Sequence, residues 1–317
     1  MSKPVIHCLG FFPDYEAMFF NQVQSDRFDV VVFNLSQMTD QVSWFKRLPR
    51  FFRNVWHKAI IKKYLASNTT AVVVMNEHRL GLQALYDFLT SSIDSNTHLN
   101  IHILLRNPFD PSGKIATLLP SLMKLGVSVW SFDHRDCVKF GFLFYPQFVE
   151  RIEGLNNTQI QYDFSFVGRD KGRAELLNRL KKDLDGQGYS TRFDIRDPAS
   201  SDIAQSENLS YVEYLERYLS AKCMVEILQE GQSGMTLRPL EALVYGRKLL
   251  TNNPDVVKED FYHPNNILVM DATGVDLKKL EIFMLQPFMR LQDVVSTRYT
   301  ATGVLNMVFD KKTSVSV

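Results

Sequence analysis

Short, almost uninterrupted apolar runs recur along this chain at intervals filled by stretches of helical length. In the first half the runs are Pro4–Leu9, Asp29–Asn34 (DVVVFN), Ala71–Met75 (AVVVM), Ile101–Leu105 (IHILL) and Val127–Phe132 (VSVWSF). Leu80–Leu89 and Lys114–Leu125 are separators of helical length. A strand that is apolar on both faces belongs in a sheet covered on both sides, and that means a parallel sheet flanked by helices. Parallel neighbours need right-handed crossovers, so the first half reads as a Rossmann-like βαβ lobe. An irregular stretch, Cys137 to Gln161, follows and holds the polar segment GLNNTQ. It is the candidate boundary. The alternation then restarts with strand signals at Tyr162–Val167, Ser190–Ile195, Cys223–Leu228, Lys248–Thr251 and Asn266–Met270. Helical patterns cover Ala174–Leu184, Tyr211–Leu219, Thr236–Tyr245 and Asp276–Phe283. A chain of 317 residues holds two lobes of roughly 150 each. The expected organisation is α/β: an acceptor lobe over residues 1–155, a second Rossmann-like lobe over 156–285, and a cleft between them. A C-terminal helical segment over 286–317 is placed to return to the first lobe.

Composition narrows the function. Lys and Arg number 36 against 35 Asp and Glu, a net charge of +1, so the whole molecule has no attraction for nucleic acid. Three widely spaced cysteines, Cys8, Cys137 and Cys223, offer neither a disulfide framework nor a metal-binding pair, which fits a reducing cytoplasm. The seven histidines are scattered and no D-x-D element follows a strand, so no metal site is expected. No apolar stretch reaches the length of a membrane span.

The densest chemical signal is Glu226–Asn253, EILQEGQSGMTLRPLEALVYGRKLLTNN. A strand gives way to a glycine-bearing polar loop, then to a helix carrying Arg238 and Glu241, then to Gly246 and another strand. Helix N-termini present free N–H groups and a positive dipole end, which suits a diphosphate. Gly231 and Gly234 let the backbone approach closely, while Gln232, Ser233 and Thr236 cap or donate. Arg238 adds a fork of donors, and Glu241, at i, i+3 from it, can accept from a ribose diol. The plainer reading is an N-cap, a surface ion pair and a C-capping glycine. A second candidate is Gly168-Arg169-Asp170-Lys171-Gly172-Arg173, a basic glycine turn between a strand and a helix. Its cations can neutralise phosphate oxygens, or can simply be solvated.

The first of these segments resembles the donor-binding region of two-lobed GT-B glycosyltransferases, in which a Glu-Ala helix is followed by glycine and a strand. EALVYGRKLLT stands at that place, with Lys248 where the family commonly has proline. The resemblance implies that Glu241 binds ribose and that Gly234 and Thr236 face phosphate. It implies the same grip on the diphosphate for Gly168, Arg169 and Lys171. Retaining members carry a second glutamate where this chain has Ser233, which favours inversion. SFDHRDCVKFGFLFYPQF, YDFSFVGRDKGR, EILQEGQSGMTLRPLEAL, KLLTNN and FYHPNNI further resemble a bacterial group from capsule and lipopolysaccharide gene clusters. The resemblance implies a nucleotide-diphosphate sugar as donor substrate, no separate cofactor, and a surface-polysaccharide or lipid-linked glycan as acceptor. Localisation is then cytoplasmic, or at the inner face of the plasma membrane.

The catalytic base is open. Glu77, in Asn76-Glu77-His78-Arg79 after the strand AVVVM, can take an acceptor proton. Asp14, after the first strand, is a rival, and Asp133-His134 after VSVWSF is a third pair with a structural alternative. Trp44–Lys63 (WFKRLPRFFRNVWHKAIIKK) carries seven Lys and Arg and no acid, with Pro49 marking a helix start. It reads either as an interfacial helix on an anionic membrane or as a sheet-covering helix whose aromatics are core. Other functions on this pattern are a sugar-nucleotide epimerase and a non-catalytic scaffold in polysaccharide assembly.

Overall fold

The computed structural model describes residues 3–11, 14–33, 50–68, 72–91, 99–197, 209–229, 234–271 and 274–313. It separates into two compact units, Met1–Pro146 with Ala301–Val317, and Gln147–Thr300. The division falls ahead of the expected residue 155. Residues 286–300 stay with the second unit, and the helix Ala301–Thr313 belongs to the first.

The first unit is built on a parallel sheet of order β2-β1-β3-β4-β5-β6. Its strands are β1 (Val5–Leu9), β2 (Asp29–Phe33), β3 (Val72–Asn76), β4 (Asn100–Leu104), β5 (Ser128–Ser131) and β6 (Leu143–Phe144). All five residues of β3 are buried, as a central parallel strand requires. The helix Arg79–Ser91 packs Leu82, Leu85, Phe88 and Leu89 onto the sheet at helical spacing. The Trp130 indole donates to buried His102 at 3.0 Å, and burial pushes that imidazole down to about 4. The C-terminal helix is held by Phe309 against Phe28, with ring centroids 5.2 Å apart, and by an Arg27–Asp310 ion pair.

Two helices of this unit were not expected from the pattern. Asp14–Asn21 buries Phe19 and Phe20. His134–Phe140 buries none of its residues; it is set by the Asp133 cap, which accepts from the Arg135 N–H, and by left-handed Gly141. Asp133 thus caps the helix that follows β5. Within the basic segment the helix is Arg50–Ala66. Its aromatics Phe51, Phe52 and Trp56 are exposed, so the reading that placed them in the core is corrected. Ile61 and Leu65 face the core instead. Trp44 and its neighbours up to Pro49 lie outside the described residues.

The second unit is a parallel sheet of order β11-β10-β9-β7-β8. Its strands are β7 (Tyr162–Arg169), β8 (Thr191–Arg196), β9 (Ala221–Glu226), β10 (Lys248–Thr251) and β11 (Ile267–Val269). The helix Ala174–Gly186 seals one face through Leu177, Leu180 and Leu184. The helix Tyr211–Leu219 starts on a Ser210/Glu213 capping box and buries Leu215, Tyr218 and Leu219. Each buried leucine contributes about 1.5–3 kcal/mol. Lys248, at the place where the resembled pattern commonly has proline, is buried and donates to the carbonyls of Asn265 and Phe283. It ties β10 to the end of the helix Leu277–Leu285.

Candidate functional site

In the second unit the chemistry gathers where β7 and β9 end. Past Gly168 the chain turns through Asp170–Gly172, with Lys171 at φ 49 and Gly172 at φ 80. A left-handed lysine is a strained choice, and it turns the side chain outward at the strand end. Asp170 accepts from the N–H groups of Arg173 at 2.8 Å and Ala174 at 2.6 Å, capping the following helix. Arg173 is buried and spends its donors on carbonyls: Asp170 at 3.1 Å, Arg169 at 2.7 Å, and Ile227 beyond β9. It clamps the turn to the neighbouring strand.

Arg238 opens the helix Arg238–Val244 and crosses back to β7. Its Nη2 donates to the Val167 carbonyl at 3.0 Å, and its guanidinium lies 5.3 Å from the Phe166 ring centroid and 5.7 Å from that of Tyr218. Its Nε is buried with no hydrogen-bond partner. Gly168 leaves room for this crossing, since a Cβ there would stand 2.7 Å from Arg238 Nη2. The electrostatics are lopsided. Burial lowers the Lys171 ammonium, and Arg173, Arg169 and Arg238 lower it further by repulsion. Burial, followed by the field of Arg238, brings Arg173 down to about 10. Burial works against the Arg238 charge, and the fields of Tyr214, Tyr218, Glu226 and Glu241 raise it.

Beneath this cluster sits Glu226, fully buried and not among the residues expected from sequence. Its carboxylate accepts from the hydroxyls of Thr236 and Thr251, the latter at 2.6 Å. Thr236 in turn accepts from the Arg238 N–H at 3.2 Å, so its hydroxyl is committed to the loop. Glu241 is also buried. Tyr211 donates to its Oε1 at 2.9 Å and Tyr214 to its Oε2 at 2.7 Å, and the two rings are stacked 5.8 Å apart. Burial raises the Glu241 carboxyl, against the lowering effect of the two phenols and Arg238. The i, i+3 contact expected between Arg238 and Glu241 is not a hydrogen-bonded pair.

In the first unit the polar cluster lies at the carboxyl ends of β1, β3 and β4. Glu77 follows β3 and bridges the next loop: its Oε2 accepts from the Arg106 N–H at 2.9 Å and its Oε1 from Asn107 Nδ2 at 2.7 Å. Arg106 donates through Nε to Glu16 at 2.8 Å and through Nη1 to Tyr145 at 3.2 Å. Glu16 is buried, and its Oε2 has no hydrogen-bond partner. Burial raises its carboxyl, which Arg106 partly offsets and Glu77 reinforces. Left-handed Gly10 makes the turn after β1, with Asn76 Oδ1 3.0 Å from where its Cβ would be.

No family model matches the chain, and no curated protein sequence matches it. Among solved structures it is similar to a UDP-GlcNAc 2-epimerase from Methanocaldococcus jannaschii, with a TM-score of 0.55, 10% identity, and 98% of this chain and 99% of that one covered. It is similar too to an alpha-glucosyltransferase in complex with UDP and a 13-mer DNA, with a TM-score of 0.53, 12% identity, and 99% of each chain covered. The fold is GT-B-like.

Within this GT-B-like chain, Gly168, Arg169, Lys171 and Arg238 come together at the end of β7, with exposed Arg169 and Lys171 beside half-buried Arg238. Gly234 and Thr236 lie on the approach to the helix that Arg238 begins. Gln232 and Ser233 lie outside the described residues. Glu77 stands in the first-unit cluster; Asp14 is the first residue of its helix, and its side chain lies outside the described residues. Sequence reasoning missed Glu16, Arg106, Glu226, Tyr211 and Tyr214. All five act through partners far along the chain, and no local spacing signals them.

Proposed function

We propose that the chain is a glycosyltransferase that moves a sugar from a nucleoside-diphosphate donor to a surface-polysaccharide or lipid-linked glycan acceptor. The observation that carries this reading is the cationic turn at the end of β7, where Arg173, Arg169 and Arg238 press on Lys171. Such a turn suits a diphosphate, whose charge increases as the glycosidic bond breaks. In the reaction, the acceptor hydroxyl attacks the anomeric carbon, the bond from that carbon to the diphosphate oxygen breaks, and the nucleoside diphosphate leaves with the electron pair. Glu77 takes the acceptor proton. A direct displacement inverts the anomeric centre, which agrees with Ser233 standing where retaining relatives carry glutamate.

The residues divide the work. Arg169, Lys171 and Arg238 hold the leaving diphosphate, and Glu226 with Thr236 and Thr251 ties β9 and β10 to the approach to the helix that Arg238 begins. Arg106 orients Glu77 through its backbone N–H, and Glu16 holds the Arg106 side chain. Glu241 acts through Tyr211 and Tyr214 in this reading; a direct contact with a ribose requires those phenols to yield an oxygen.

The test is a panel of nucleotides and nucleotide sugars measured by calorimetry and thermal shift on wild type and Arg238→Ala. One nucleoside diphosphate should stabilise the wild type and lose its effect in the variant. Glu77→Gln should then keep that affinity while turnover falls by about 10²–10⁴. An epimerised nucleotide sugar formed without acceptor would replace the transferase reading by an isomerase. Absence of any nucleotide effect would leave a scaffold.

A further inference from the structure

We propose that the helix Arg50–Ala66 seats this chain on an anionic lipid bilayer through an outward-facing aromatic stripe. The helix has two apolar sides. Ile61 and Leu65 share one, and both are buried in the core of the first unit. Phe52, Val55, Trp56 and Ala59 follow the i, i+3, i+4, i+7 spacing of the other. That side faces outward: Phe52 is 58% exposed, Val55 52% and Trp56 43%, with Phe51 at 71% beside them. Phe52, Val55, Trp56, Ala59, Ile60 and Lys63 line an open apolar groove of about 500 Å³. A contiguous apolar patch of this kind marks a contact surface.

Charge identifies the occupant. The helix Arg50–Ala66 carries five Lys and Arg and no Asp or Glu, and Lys62 and Lys63 border the stripe. A second copy of the chain would set this basic rim against itself. A bilayer with acidic headgroups offers negative charge above and apolar chains below, at the level where aromatic rings settle. The helix also adjoins the Glu77 cluster. Its Lys58 donates to Asp87 at 3.4 Å, in the helix Arg79–Ser91 that follows Glu77. On the proposed function, a helix lying on the membrane keeps that cluster beside a lipid-linked acceptor.

The experiment is vesicle flotation of the full chain with phosphatidylglycerol-containing or pure phosphatidylcholine vesicles, at low and high salt. A Trp44→Phe variant adds fluorescence quenching by brominated lipid chains. It leaves Trp56 and Trp130, and Trp130 is buried and bonded to His102, so quenching reports Trp56. We expect flotation with the anionic vesicles only, weakened by salt, together with quenching. Lys62→Glu with Lys63→Glu should weaken binding by at least about fivefold per charge, and Phe52→Ser with Trp56→Ser by more than about tenfold. Both double variants should keep the melting temperature and the nucleotide-induced shift, so failure here is separable from failure of the donor site. Absence of flotation, unquenched Trp56, or variants that float as well as wild type would overturn the proposal. A dimer dissolved by Phe52→Ser with Trp56→Ser would overturn it in favour of a second copy.

Discussion

Gly168→Ala is the most direct probe of the basic turn. The new Cβ would stand 2.7 Å from Arg238 Nη2 and 3.3 Å from Phe166 Cζ. Packed carbons sit at about 3.5–4.0 Å, so the guanidinium must retreat by about an ångström. That movement breaks its hydrogen bond to the Val167 carbonyl, a charge-assisted bond of about 1.5–3 kcal/mol. The backbone itself takes alanine without strain, because Gly168 is not among the left-handed glycines. Reduced freedom of the unfolded chain therefore returns about 0.4–1 kcal/mol. The net expectation is a loss of about 1–2 kcal/mol in stability and about tenfold in nucleoside-diphosphate affinity. Denaturant unfolding and calorimetry on Gly168→Ala, Arg238→Ala and the double variant close the cycle. In the Arg238→Ala background the clash is gone, and Gly168→Ala should become neutral or stabilising. Equal destabilisation in both backgrounds would refute the steric coupling, and unchanged nucleotide affinity in the single variant would refute its link to the site.

Three further substitutions test separate parts of the argument. Lys171→Gly removes a charge and relieves a φ of 49, so nucleotide affinity should fall about five- to tenfold while the melting temperature holds or rises; a fall in both would make Lys171 structural. Arg106→Leu leaves Glu16 buried without its cation and should cost about 3–5 kcal/mol in denaturant unfolding, whereas a loss well below this range would mean that Glu16 is held neutral. Burial raises the Glu241 carboxyl above its ordinary 4.5, so between the ordinary and the raised value the folded chain keeps a proton that the unfolded chain has released. Stability therefore falls as pH rises through that window. Glu241→Gln should flatten this fall, with Glu16 supplying the remainder in the same sense, and an undiminished slope would remove Glu241 from the account.

The sheets were legible because parallel strands are apolar on both faces and announce themselves without reference to the rest of the chain. DVVVFN and AVVVM became β2 and β3 almost residue for residue. Helices that depend on context were not legible. Asp14–Asn21 carries a buried acid among its aromatics and shows no clean amphipathic period, and His134–Phe140 buries nothing at all. The basic glycine turn could be read because its glycines and cations are contiguous. The clamp role of Arg173 could not, since its partners are backbone carbonyls that no letter of the sequence marks. The partners of Glu241 are Tyr211 and Tyr214, and those of Arg106 are Glu16 and Tyr145; only the fold brings such residues together. The basic amphipathic pattern before residue 63 was visible as well, but periodicity alone could not tell which of its two apolar sides would be buried.

The cationic turn also carries a thermodynamic argument that does not depend on the identity of the sugar. Burial and the fields of neighbouring arginines lower Lys171 and Arg173, while the Asp170 carboxylate accepts from two backbone N–H groups. The repulsion on Lys171 costs free energy that a bound anion would offset. Added salt screens like-charge repulsion within about 10 Å at moderate ionic strength. The unliganded wild type should therefore gain melting temperature with salt relative to Lys171→Gly, in which part of the repulsion is already gone. A polyphosphate should do more than salt at far lower concentration, because it adds binding energy of about 2.7 kcal/mol at a hundredfold excess over its dissociation constant. If sodium chloride and pyrophosphate at matched ionic strength give the same shift, the cations are merely solvated and the turn is not a phosphate site. If pyrophosphate alone stabilises, and Lys171→Gly abolishes the difference, the repulsion is the cost of a site built for a diphosphate.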